Sequence, residues 1–282
     1  MAYDSYTLLQ VQQDGPLVTA TINNPPINLI TMALFGELAQ LAITLEADPS
    51  VLVFVLKSAD PDFFLAHFDV EALIAMADAP APPTDEAAPD ASNAYHDMCH
   101  RFRTMDKVTI AQIEGRVGGG GAELAMNFDM RFGVIGKTII NQMEVPIGIL
   151  PGGTGTQNLP RLVGRARAME IILGGIDVDA ETAERWGWLN RALPADAIDA
   201  HVDALARRIA SFPVDAVRLA KQSVGNAVLP ITEGCAREAE LFQTLLFSDP
   251  TRHAMRRFLE LGGQTRDGEL RVAQISAAVA RG

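Results

Sequence analysis

Four consecutive glycines, Gly118 to Gly121, constrain this chain more than any other stretch. They follow an apolar, β-branched run from Val108 to Ile113 and lead into Ala122-Glu123-Leu124-Ala125-Met126, all good helix formers. The expectation is a strand, a turn without side chains, and the first turn of a buried helix. Glycine permits positive φ and lets another group come close to the main chain. The unpaired N–H groups at a helix start face whatever lies there, and the helix dipole favours negative charge. A tight packing turn would explain the glycines alone. It does not explain Glu123, a carboxylate set just inside an anion-favouring turn, and on that ground the turn is the candidate active site.

A second carboxylate in matching context strengthens this reading. Glu144 sits among apolar residues in Asn141-Gln142-Met143-Glu144-Val145-Pro146, where a short strand gives way to a loop rich in glycine and proline. The bland account is a partly exposed loop acid. Two glutamates beside a nest of N–H donors would instead form a general acid/base pair next to an oxyanion site. That combination suits addition of water to a conjugated thioester, where charge develops on the carbonyl oxygen.

The rest of the chain supplies the frame. Tyr6 to Gln12 and Leu17 to Asn23 read as two strands joined at Asp14-Gly15-Pro16. Asn24-Pro25-Pro26 ends regular pairing. Leu34, Leu38, Leu41 and Leu45 mark one face of an amphipathic helix that Asp48-Pro49 terminates. Val51 to Leu56 is a strand apolar on both faces. Ala77 to Ala91, with Pro80, Pro82, Pro83 and Pro89 among alanines and acids, reads as a mobile surface loop. A helix follows from near Asn93 toward Met105. Short strands are expected at Met130 to Val134 and Thr138 to Asn141. From about Gln157 the pattern is helical, with stops at Gly174-Gly175, Gly187, Pro194, Pro213, Pro230 and Gly262-Gly263. Asp249-Pro250 reads as an N-cap followed by a first-turn proline. Strands alternating with helices indicate an α/β core over residues 1–200, and 201–282 form a helical C-terminal region.

Composition excludes several classes. The chain has 282 residues and a formal net charge of −12, which argues against nucleic-acid and anionic-membrane partners. No apolar run is long enough to span a bilayer, and the N-terminus lacks the pattern of a secretory signal. Cys99 and Cys235 belong to no C-x-x-C pair and read as reduced thiols. A cytoplasmic location is expected. His96, Cys99 and His100 could share a helix face, but no further ligand presents itself and no metal is expected. Gly136-Lys137-Thr138 lacks the leading glycine of a phosphate loop, the dinucleotide fingerprint fails at Glu123, and no G-x-S-x-G is present.

The segment E-G-R-V-G-G-G-G-A-E-L-A-M-N-F-D closely resembles the glycine-rich signature of the enoyl-CoA hydratase/isomerase (crotonase) family. So does M-E-V-P-I-G-I-L-P-G-G-T-G-T-Q-N-L-P-R-L-V-G-R, which follows at the expected place. N-P-P-I-N-L-I near residue 25 and F-F-L-A-H-F-D-V near residue 64 are similar to two further family blocks. The resemblance spans about Leu8 to Phe258. It implies a spiral of ββα units with a C-terminal helical trimerisation region, an acyl-CoA substrate, no separate cofactor, and assembly as a trimer or a hexamer of two trimers. Carried across by position, it implies Glu123 and Glu144 as the catalytic pair and the N–H groups of Phe68 and Gly120 as the oxyanion hole. Ala66, His67, Asp69 and Gly119 fall in the substrate-binding segments.

Two departures matter. The usual glycine before the second donor is His67. Histidine tolerates positive φ better than most residues, so it could hold the same turn with its ring outward, the preferred reading. A ring turned inward would open isomerisation, β-diketone hydrolysis or another reaction of the same oxyanion hole. The common basic residue of the first block is also missing, since Asn23-Asn24 precede Pro25. A binding or scaffold protein, including an RNA binder, is the reading from another class. The acidic balance and the two glutamates argue against it.

Overall fold

The computed structural model describes residues 3–79 and 93–279. Most of the loop expected between residues 77 and 91 therefore lies outside the described residues. Ala77 and Asp78 belong to the helix before it.

After an opening hairpin the chain winds through three turns that each lay one strand in a large sheet and a shorter one in a second sheet before a helix. Strands β1 (Leu9–Asp14) and β2 (Leu17–Ile22) open it as an antiparallel hairpin. Helix α1 (Met32–Ala47) follows, capped by the Thr31 side chain, and Leu34, Leu38, Leu41 and Leu45 are all buried along one face. Strands β3 (Val53–Ser58) and β4 (Phe63–Leu65) then lead to α2 (Val70–Asp78) and α3 (Ala94–Thr104). The next turn is β5 (Val108–Ile113), β6 (Arg116–Gly118) and α4 (Gly119–Ala125). The third is β7 (Met130–Val134), β8 (Ile139–Asn141), α5 (Gly155–Val163) and α6 (Arg165–Gly174). Then come β9 (Val178–Asp179), α7 (Ala180–Trp186), β10 (Arg191–Leu193) and α8 (Ile198–Ala210). The C-terminal helices are α9 (Val214–Gly225), α10 (Ile231–Leu246), α11 (Asp249–Glu260), α12 (Arg266–Glu269) and α13 (Val272–Val279).

The large sheet has the order β1-β2-β3-β5-β7-β10, parallel from β2 onward, and the small one β4-β6-β8-β9. This is the ββα spiral that the resemblance implies. One core lies between the two sheets and their helices, and a second packs Ile198, Val202 and Ala206 of α8 on the outer face of the large sheet. The boundary expected at residue 200 thus falls inside a helix that packs on the sheet.

The small sheet positions the site. Its strands β4, β6 and β8 are parallel neighbours, with Leu65 beside Val117 and Val117 beside Ile140. The segments leaving their C-terminal ends carry Phe68, Gly120 and Glu144, so three residues far apart in sequence emerge along one edge. Consecutive turns of a spiral bring equivalent positions side by side.

The glycine run is used differently from expectation. The helix begins inside it, at Gly119, rather than at Ala122, and the strand leading in is β6 rather than β5. Gly119 has φ +45°, and a Cβ on Gly121 would lie 2.6 Å from both Cβ and O of Leu65. The close approach of β4 outweighs glycine's poor helix propensity there. At the far end of α4, the buried Arg131 guanidinium donates to the carbonyls of Ala125, Phe128 and Trp188 and ties the helix end to the segment after α7. A smaller correction concerns α11, whose cap is Ser248, with Asp249 already helical.

Candidate active site

A cavity of about 440 Å³ opens where α4 meets the loop after β8. Phe68, His67, Gly119, Gly120, Glu123 and Glu144 all line it. Residues spread from His67 to Glu144 converge on one space because the spiral stacks their turns.

The two expected N–H donors lie on facing backbones. Ile30 bridges the segment around Phe68 in a parallel pair: its N–H donates to the His67 carbonyl at 2.9 Å, and its carbonyl accepts from Asp69 at 3.1 Å. Groups alternate along an extended chain, so the Phe68 N–H points the other way. Among the described residues it donates to no acceptor. The Gly120 N–H belongs to the first turn of α4, where N–H groups have no intrahelical partner. The backbones nearly touch, since a Cβ on Gly120 would sit 3.3 Å from Phe68 Cβ and 3.6 Å from its nitrogen.

Glu123 is 3% exposed. Its Oε1 accepts from the N–H groups of Gly153 at 2.8 Å and Gly155 at 2.7 Å. Oε2 has no donor among the described residues. Burial pushes this carboxyl up to about 7; the Gly155 bond opposes the rise, the Glu144 charge adds to it, and the Gly153 bond opposes it. Glu144 is 7% exposed, and among the described residues its buried Oε2 lacks any partner. Burial raises its pKa as well, against its own backbone N–H and the nearby His67. Two acids with raised pKa values, each with an oxygen left unpaired, can hold a water and exchange protons with it.

His67 does not play the part expected of it. Its φ is not positive, so no left-handed turn replaces the glycine, and its ring is held against the backbone rather than left free. The residue is half-buried, lines the cavity, and its Nδ1 lies 2.8 Å from the Phe68 carbonyl. An oxygen can only accept, so Nδ1 carries the proton. Asp69 does not line this cavity; its carboxylate caps α2 by accepting from Glu71 and Ala72. Ala66 lines a neighbouring cavity of about 320 Å³, which shares His67 and Met143 with the first. Asn24 turns inward, its side chain donating to the Leu29 carbonyl at 2.8 Å.

Several site residues carried no sequence signal. Tyr95 of α3 donates its hydroxyl to the Gly120 carbonyl at 2.6 Å and packs between Phe35 and Phe68. Gln142 donates to the Gly119 carbonyl at 3.1 Å, on the peptide whose other end is the Gly120 N–H. Asn127 ties the Glu123 carbonyl to Thr154. Polar residues in otherwise apolar stretches were the available hint, but nothing local told which backbone they would meet. His96, Cys99 and His100 form no metal cluster, and no group of metal-ligating residues occurs among the described residues.

The enoyl-CoA hydratase/isomerase family model matches residues 13–265. A Rhizobium meliloti protein named "Probable enoyl-CoA hydratase" is 31% identical over 90% of this chain and 96% of its own. The short-chain-enoyl-CoA hydratase of Clostridium acetobutylicum is 28% identical over 89% and 94%. A crystal structure of an enoyl-CoA hydratase from Geobacillus kaustophilus superposes with a TM-score of 0.82 at 25% identity, over 91% of this chain and 95% of that one. With the match extending from the first hairpin to the C-terminal helices, the chain belongs to the enoyl-CoA hydratase/isomerase family.

Proposed function

We propose that the protein adds water across the 2,3-double bond of an enoyl-CoA thioester. The observation that carries this reading is the convergence of two unpaired backbone N–H groups and two buried carboxyls in one cavity. The thioester oxygen would sit between the N–H groups of Phe68 and Gly120, which stabilise the charge that develops there as C3 is attacked. Glu123 and Glu144 would hold the water through their free oxygens. The pair directs its oxygen to C3, and a proton is delivered to C2, so the product carries one added water. The acyl group would occupy the cavity beside Phe35 and Tyr95, and the carrier arm the adjoining space lined by Ala66. Coenzyme A is part of the substrate, and this reaction uses no further cofactor.

The reading includes a cytoplasmic location and a homo-oligomer, a trimer or a hexamer of two trimers. The exposed apolar residues of α10 and its flanks support assembly, with Ile231 82% and Phe247 68% exposed. Among the described residues no helix is long and apolar enough to cross a membrane.

His67 supports a second reading. Its ring stands beside Glu144, which favours isomerisation or C–C bond hydrolysis through the same oxyanion hole. Incubation with enoyl-CoAs of graded chain length, followed at the conjugated-thioester absorbance and by mass spectrometry, separates the two. Hydration adds one water, whereas isomerisation leaves the mass unchanged. Turnover absent at every chain length would remove the hydratase reading.

A further inference from the structure

Helix α3 presents three side chains to glycine carbonyls around the cavity. Tyr95 reaches Gly120 O, His96 Nε2 lies 2.6 Å from Gly152 O, and Cys99 Sγ lies 3.9 Å from Gly153 O. The His96 contact has a further consequence, because Gly152 C=O and Gly153 N–H are the two ends of one peptide group. The carbonyl can only accept, so Nε2 carries the proton and donates. At the other end of that rigid plane, Gly153 N–H donates to Oε1 of Glu123 at 2.8 Å. A side chain that never meets the carboxylate thus fixes one of its two donors.

We infer that His96 is a positioning residue for Glu123, acting through the Gly152–Gly153 peptide. Holding the carbonyl fixes the rotation of that plane and aims the N–H at Oε1. Donation into the carbonyl also polarises the peptide, which strengthens the N–H as a donor. Both effects favour the ionised form of a carboxyl that burial would otherwise keep protonated, and both leave Oε2 free for the cavity. The inference rests on Glu123 being a working group of the proposed reaction, but its physical content is the titration of Glu123.

The groups facing Glu123 are few. Glu144 approaches from the loop after β8, and Tyr95 and Cys99 from α3, with Arg103 of α3 acting on Cys99. Burial holds the Tyr95 hydroxyl and the Cys99 thiol well above their ordinary ranges, so both stay neutral while Glu123 titrates. Glu144 remains as the coupled partner.

The test compares His96→Ala with His96→Gln in the full-length protein. The pH dependence of thermal unfolding is recorded for each with and without Glu123→Gln, and the difference reports the Glu123 titration without any turnover. Removing the donor should move that titration up by about one pH unit, and an amide N–H at position 96 should restore most of it. With enoyl-CoA, kcat should fall about tenfold in His96→Ala while KM stays within about twofold. A role confined to packing would lower stability at every pH and leave the titration in place. An unmoved titration in His96→Ala, or no recovery in His96→Gln, would overturn the inference. Failure of hydration alone would strike the proposed reaction and leave the titration result standing.

Discussion

The glycine-rich centre and the C-terminal helices solve opposite problems. Around α4 every residue is buried, and polar groups are matched from within: Glu123 by two N–H groups, Arg131 by three carbonyls, Asn127 by Glu123 O and Thr154. Helices α9, α10 and α11 bury no residue, while Val224, Val228, Ile231, Phe242 and Phe247 lie largely exposed nearby. The centre meets most of its polar needs from the chain itself and leaves Glu144 Oε2 open toward the cavity. The C-terminal region carries apolar surface beyond what a folded monomer uses, which supports the proposed assembly. A substitution at the centre should therefore cost chemistry or folding, and one on the exposed face should cost neither within a single chain.

The largest break belongs to Glu144. Glu144→Gln keeps the shape and removes the titrating group, so kcat for hydration should fall about 10³-fold, equivalent to about 4 kcal/mol of barrier. A loss below tenfold would remove Glu144 from the chemistry. Next comes Gly121→Ala, whose methyl group would meet the backbone and side chain of Leu65 at 2.6 Å. Denaturant unfolding should show a loss of about 2–3 kcal/mol, whereas a change under 0.5 kcal/mol would mean that β4 yields easily.

Glu123→Gln sharpens the contrast by separating stability from activity. The folded-state pKa of this acid, about 7, lies above its ordinary 4.5. The folded protein therefore binds the proton more tightly, and the stability linked to it is fully present below pH 4.5 and lost as pH rises through 7. The variant should match wild type in stability near pH 4.5 and exceed it by about 1–3 kcal/mol at pH 8, while hydrating poorly. An equal difference at both pH values would show that Glu123 does not titrate in this window. The smallest effect is expected on the C-terminal face. Ile231→Ser should change unfolding of the isolated chain by less than about 0.5 kcal/mol, yet weaken the oligomer measured by light scattering. Loss of the fold would show that Ile231 is core after all.

Much of this fold was legible where a local pattern had room to repeat. The leucines of α1, the run that becomes β5, the strand Met130–Val134 and the start of α3 near Asn93 all stand where the local pattern puts them. Strands β4, β6, β9 and β10 have two or three residues each, too few to show an alternation. The start of α4 was hidden because glycine argues against helix, and only the distant Leu65 explains why glycine is required there. Within the site, both glutamates and the glycine N–H groups could be named from the chain, with the family resemblance assigning them roles. The contributions of Tyr95, His96 and Gln142 could not, since each acts on a backbone carbonyl brought near by the spiral. His67 shows the limit of substitution by analogy: a histidine where glycine is usual suggested positive φ, and the turn closes without it.

The central claim is that the cavity adds water to a conjugated thioester, and isotope tracing tests both halves together. The wild-type protein would be incubated with a 2-enoyl-CoA in water labelled with heavy oxygen and deuterium. The account predicts a 3-hydroxyacyl-CoA with the heavy oxygen on C3 and one deuterium on C2. A product without the oxygen label, or no product at any acyl chain length, would contradict it.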